Sequence, residues 1–201
     1  MPLSRSSLRS AAANRLGGPG ARLLSRLGVT PNGVTLMGLA LSLVSAVVIA
    51  TGYLAVGGAV LLVSATLDMM DGVLARLTGR ASDAGALLDS VADRVAEASV
   101  LLGVLVFALA RGDTTLAVLV NLAIVTSVLV SYIRARAEGL GVRETVGFMT
   151  RPERVVVLAI GLLSGFPTVA LGIIAAGSTA TAVHRFLHAW KQLRRDHDRN
   201  E

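Results

Sequence analysis

The sequence predicts an all-α integral membrane protein: six transmembrane helices preceded by an N-terminal amphipathic surface helix. Three observations carry the prediction. Of 201 residues 53% are hydrophobic and 16% charged, and the mean hydropathy is +0.69, too apolar for a soluble domain of this length. The uncharged residues fall in runs long enough to cross a bilayer. The basic residues are confined between those runs, as in cytoplasmic loops. A soluble enzyme and a disordered chain are excluded, and so is a disulfide scaffold, because there is no cysteine. The net charge of +6 makes nucleic acid a poor partner, since it is not spread over a polar surface.

Residues 1–27 are rich in Arg and Ser and hold no acid. Leu8, Ala12 and Leu16, then Leu23, Leu24 and Leu27, fall at helical spacings around the breaker Gly17-Gly18-Pro19-Gly20, which predicts an amphipathic helix on the membrane surface. No charge occurs from Gly28 to Leu67. One crossing takes about 20 residues, so this stretch must hold two helices, joined at Thr51-Gly52-Tyr53. A third helix is expected from about Gly85 to Ala110 and a fourth from Thr114 to about Ala135. Residues 155–183 are again uncharged and are broken at Gly165-Phe166-Pro167, giving a fifth and a sixth. The domain expectation is an amphipathic segment over 1–30, a six-helix domain over 31–190 and a basic tail over 191–201.

Charge supports this count. With both termini inside, the cytoplasmic segments hold seventeen of the nineteen Lys and Arg; Arg111 falls in an outer turn and Arg94 inside the third helix. Five helices would place the basic C-terminus outside, against the positive-inside bias. The expected location is the plasma membrane, multi-pass, with the active site cytoplasmic.

Two adjacent helices carry the chemistry. Asp68 and Asp71 are three apart at the end of helix two, and Asp89 and Asp93 are four apart at the start of helix three, so each pair shares a helical face. Four carboxylates near hydrocarbon are costly unless cations sit among them. Oxygen ligands without His or Cys favour Mg²⁺ or Mn²⁺ over zinc. Gly72, Ala75 and Gly85 leave room for a ligand to approach the backbone, and Arg76 suits a phosphate. Metal, glycine and arginine together read as a diphosphate site. Intramembrane acids also serve as interhelical hydrogen-bond partners or as steps of an ion path, and an ion transporter is the alternative from another class.

The segment reads D-x2-D-G-x2-A-R-x8-G-x3-D-x3-D from Asp68 to Asp93, with all eight fixed positions filled. It resembles the signature of the CDP-alcohol phosphotransferase family, as does the layout of nearly the whole chain. The resemblance implies two metal ions, with Asp68 and Asp89 bridging, Asp71 on the first and Asp93 on the second, and Asp93 also the general base. It implies CDP-diacylglycerol contacts from Gly72, Ala75, Arg76 and Ser82, with Asn32 and Thr35 added from the start of helix one. It also implies a homodimer in the lipid bilayer.

The remaining cytoplasmic arginines bear on the acceptor. Arg134 and Arg136, Arg154, and Arg185 lie at three helix ends and are expected to converge on a phosphate monoester, which guanidinium groups pair bidentately. The plainer reading is that they only orient the chain in the membrane, with Thr150 and Glu153 capping helix five. The Arg-Ala-Arg-Ala-Glu and Arg-Pro-Glu-Arg stretches resemble those of the family's prokaryotic phosphatidylinositol-phosphate synthases, which implies a phosphorylated polyol acceptor, inositol 1-phosphate. Phosphatidylglycerol-phosphate synthesis from glycerol 3-phosphate is the nearest rival. His184 and His188, one turn apart without a third ligand, read as an interfacial polar face, and Trp190 as an interfacial anchor.

Overall fold

The computed structural model describes residues 19–142 and 146–197, and every regular element among them is a helix. The long helices are α1 (Pro31–Ala50), α2 (Leu54–Leu77), α3 (Asp83–Ala110), α4 (Thr114–Gly139), α5 (Arg151–Ser164) and α6 (Pro167–His197). Local chemistry explains where most of them begin. The Thr30 hydroxyl accepts from Gly33 N at 3.1 Å, with Pro31 pre-set for the first turn of α1. Ser82 accepts from Gly85 N at 3.1 Å to open α3, and Asp113 from Leu116 N at 2.9 Å to open α4. The Thr150–Glu153 capping box forms at α5. Gly165, at φ 78°, closes α5 in the left-handed conformation that glycine adopts without strain, and Pro167 starts α6 two residues on.

Helix α1 packs on α2 and α3, α3 on α4, α4 on α6, and α5 on α2 and α6. Close approach depends on small residues: a Cβ at Gly103 would collide with the Ala46 backbone, so only glycine lets α3 lie this near α1. Ser64 donates to the Gly38 carbonyl at 2.7 Å, which leaves Ser42 to donate to Ser64 at 2.8 Å. One buried cluster draws on all six helices, including Ile49, Leu61, Val104, Val120, Leu162 and Ile174. It lies toward the end opposite the aspartates. The apolar half of the bundle therefore fixes the helices, and their other ends are free to carry polar groups.

Four helices, α1, α2, α4 and α6, are long and apolar enough to cross a bilayer, which makes this an integral membrane protein. Helix α3 carries Asp83, Asp89, Asp93, Arg94 and Glu97 between its start and its midpoint region, and no charge beyond Glu97. Helix α5 has 14 residues, about 21 Å at ~1.5 Å each, short of the ~30 Å hydrocarbon core.

The N-terminal expectation is modified. Residues 1–18, with Leu8, Ala12, Leu16, Gly17 and Gly18, lie outside the described residues. Pro19 and Gly20, expected to break a helix, already belong to a helical segment over 19–26. Ala21 is buried with Val34, Val73 and Leu74, and a Cβ at Gly20 would meet the Met70 side chain. This segment is thus seated on the ends of α1 and α2 beside the aspartates. At the other terminus α6 runs unbroken through residue 190 to His197.

Candidate active site

The end of α2 and the start of α3 meet so that Asp68, Asp71 and Asp89 each place one carboxylate oxygen within 4.8 Å of the others. Asp71 is buried, and both its oxygens are held: Thr35 Oγ1 donates to Oδ2 at 2.7 Å and Gly72 N to Oδ1 at 2.5 Å. Thr35 therefore ties the start of α1 to the cluster. Three oxygen donors without histidine or cysteine suit a hard divalent cation such as Mg²⁺ or Mn²⁺. The fit extends to Asp93, whose Oδ1 is buried, makes no hydrogen bond and draws a cation, the Arg151 guanidinium at 2.6 Å.

A cleft of about 210 Å³ opens beside this cluster and reaches Asp71 and Asp89. Asn32, Thr35, Gly72, Ala75, Arg76 and Ser82 all line it, joined by Arg80 and Gly85. The expected nucleotide residues, drawn from three separate segments, thus share one wall system. A Cβ at Gly85 would stand 3.2 Å from Ser82 Oγ and 3.3 Å from Asn32 Oδ1. The missing side chain keeps the cleft open between α1 and α3.

The fourth aspartate is engaged differently. Arg151, the first residue of α5, pairs through Nη1 with Asp68 Oδ2 and lies 2.6 Å from Asp93 Oδ1. One turn later Arg154 is only 2% exposed and grips Glu97 bidentately, Nε to Oε1 at 2.6 Å and Nη2 to Oε2 at 2.8 Å, while Nη1 donates to the Met149 carbonyl at 3.2 Å. Arg185 is 5% exposed and donates to the Val146 and Val130 carbonyls at 2.9 and 2.8 Å.

In this structure the guanidinium groups of Arg154 and Arg185 bond to Glu97 and to main-chain carbonyls, because a buried charge needs internal acceptors. Arg136 is exposed, and Arg134, also exposed, pairs with Glu138 at 2.9 Å. Arg151 and Glu97 are the site residues that sequence reasoning passed over. Glu97 follows Asp89 and Asp93 at the same four-residue interval, a periodicity that could have placed it on their face. His184 is exposed, and His188 Nε2 lies 3.0 Å from Gln192 Nε2.

Residues 28–191 match the family model described as CDP-alcohol phosphatidyltransferase. The chain belongs to the CDP-alcohol phosphatidyltransferase family. It is 37% identical over 180 residues to the phosphatidylinositol phosphate synthase of Mycobacteroides abscessus, covering 85% of this chain and 81% of that one. It is 35% identical over 173 residues to the archaetidylinositol phosphate synthase of Pyrococcus horikoshii, covering 86% and 89%. Among solved structures, the phosphatidylinositol phosphate synthase of Mycobacterium tuberculosis with CDP-DAG bound superposes with a TM-score of 0.79 at 34% identity, covering 88% of this chain and 94% of that one. The same enzyme has been crystallised with manganese and citrate, again at a TM-score of 0.79 and 34% identity, covering 86% and 88%. Like other members of the family, the chain is an enzyme of phospholipid synthesis, a CDP-alcohol phosphatidyltransferase.

Proposed function

We propose that this phosphatidyltransferase moves the phosphatidyl group of CDP-diacylglycerol to inositol 1-phosphate, giving phosphatidylinositol phosphate and CMP at the cytoplasmic face of the plasma membrane. The observation that carries the reading is the junction of the aspartate cluster with the cleft. Three carboxylates lie within reach of one ion, and two of them, Asp71 and Asp89, border a space walled by Gly72, Ala75, Arg76 and Ser82. The names of the relatives support the choice of inositol phosphate, whether the lipid is bacterial or archaeal.

In this reading the chain crosses the bilayer six times, with both termini inside, the fifth crossing using the flanks of α5 as well as its 14 residues. The polar first half of α3 and the short α5 lie where the site opens toward the cytoplasm. Asp68, Asp71 and Asp89 would hold one Mg²⁺, and Asp93, with Asp68 and Asp89, a second. Bound there, such ions neutralise the diphosphate and stabilise the departing CMP. Asn32, Thr35, Ala75, Arg76 and Ser82 orient the cytidine diphosphate against the cluster, and the acyl chains stay in the bilayer. Asp93 takes the proton of the acceptor hydroxyl. That oxygen bonds to the lipid-side phosphorus as the bond to the bridging oxygen of CMP breaks, so the phosphate monoester of the acceptor is carried intact into the product.

Arg134 and Arg136, exposed at the end of α4, are left to meet the acceptor phosphate. Arg185 ties α4 to α6, and Arg154 ties α5 to α3, so both brace the frame from inside. The resemblance that implies this chemistry also implies a homodimer. The test is a side-by-side assay of purified protein with CDP-diacylglycerol, Mg²⁺ and one acceptor at a time: inositol, inositol 1-phosphate, glycerol 3-phosphate or serine. Inositol 1-phosphate should be preferred. Preference for free inositol or serine would refute the anionic acceptor, and preference for glycerol 3-phosphate would replace the product.

A further inference from the structure

The two arginines at the start of α5 have opposite bonding. Arg154 is saturated: its three nitrogens reach Glu97 and the Met149 carbonyl with regular distances, and almost none of it meets solvent. Arg151 is not. Its Nη1 is drawn between Asp68 on α2 and Asp93 on α3, yet its Nε is buried without a hydrogen-bond partner, and so is Asp93 Oδ1. Charge therefore holds Arg151 in place while hydrogen bonding is incomplete at both ends of the contact. Asp71 stands apart from it, bonded to Thr35 and Gly72.

We propose that Arg151 is an internal cation that holds the place of the second divalent ion, so that the site loads in order. This rests on reading the four aspartates as a divalent metal site. The first ion enters at Asp68, Asp71 and Asp89, where only Asp68 touches Arg151. The second needs the oxygens of Asp93 and Asp68 that the guanidinium occupies, and a dication and a guanidinium cannot share them at ion-pair distance. Arg151 must withdraw as the second ion arrives. The Arg154–Glu97 grip pins α5 one turn away, so withdrawal takes a side-chain rotation and leaves the helix in place. In the half-loaded site Asp93 Oδ1 remains paired with Arg151 and is not offered to an acceptor hydroxyl, while Oδ2 lies 3.4 Å from Arg94 Nη1. Arg151 is thus a positioning residue that couples the availability of the base to full metal loading.

The test is Mn²⁺ binding to the full-length protein in detergent micelles, without lipid substrate, followed by calorimetry and by the spin resonance of free Mn²⁺. Wild type should show one tight and one weak class of ion. R151Q and R151A, each checked by thermal melting for a native fold, should tighten the weak class by ~10-fold or more, the scale of one lost charge-assisted contact, and leave the tight class nearly unchanged. Two equal classes in wild type, or a second class unmoved or weakened in both variants, would overturn the proposal. Failure of the metal reading looks different: wild type would bind no Mn²⁺, and D89N would bind no less than wild type.

Discussion

Replacing Glu97 by Gln removes one charge from a pair with almost no water to replace it. Arg154 is 2% exposed and the Glu97 side chain 10%, and two short hydrogen bonds join them across α3 and α5. Gln keeps one acceptor oxygen but leaves a buried guanidinium without a counter-charge. Breaking one partner of a buried pair costs about 3–5 kcal/mol, and the slight exposure of Glu97 places this case near about 3 kcal/mol. At ~2–4 °C per kcal/mol for a chain of this size, Tm should fall by about 6–12 °C. Arg154→Met should fall similarly, and the double variant Glu97→Met with Arg154→Met should recover most of the loss, since two apolar groups leave no unpaired charge. The assay is thermal melting in detergent, with kcat and KM for both substrates measured on the same preparations. If both single variants melt with wild type, and Arg154→Ala raises only the acceptor KM, Arg154 faces the acceptor as the sequence alone suggested and the bracing role is refuted.

Other outcomes follow from the same geometry. Asp68→Ala, Asp89→Ala or excess chelator should abolish CMP release, measured by chromatography of the nucleotide; undiminished release would rule out the metal reading. Asp93→Asn should lower turnover by the ~10² to 10⁴ typical of lost acid–base catalysis, with part of the CDP-diacylglycerol binding retained in a direct binding assay. Gly85→Leu should fill the gap beside Asn32 and Ser82 and raise the KM for CDP-diacylglycerol by ~10-fold or more, the scale of ~1.4 kcal/mol, while leaving the acceptor KM nearly unchanged in initial-rate kinetics. Thr35→Val removes the hydroxyl that orients Asp71 and should weaken Mn²⁺ binding by a few-fold, about the ~1 kcal/mol of one hydrogen bond.

The helices were legible because their signals are local. Thr150 with Glu153, and Gly165 before Pro167, are spaced along the chain and need no knowledge of packing. The aspartates were legible for a related reason, since intervals of three and four fix a shared helical face before any tertiary contact is known. The arginines were not. Whether a guanidinium points at a ligand or at an internal carboxylate depends on which helix lies opposite, and nothing local to Arg154 says that α5 crosses α3 at Glu97. Arg185 is similar: its acceptors include the carbonyls of Val130 and Val146, and backbone acceptors leave no mark in the residue types. Arg151 was hidden by its neighbours, because a basic turn between apolar runs explains any one arginine by the positive-inside bias alone.

The proposed role of the four aspartates is transfer of a phosphatidyl group, and the most direct measurement of it is product stoichiometry. Purified protein in detergent is given CDP-diacylglycerol and inositol 1-phosphate with and without Mg²⁺, and CMP and lipid products are quantified by mass spectrometry. Phosphatidylinositol phosphate, retaining the acceptor's own phosphate, should form one-to-one with CMP and only with Mg²⁺ present. Release of CMP without that lipid, its formation in metal-free buffer, or movement of ions across a bilayer with no consumption of CDP-diacylglycerol would contradict it.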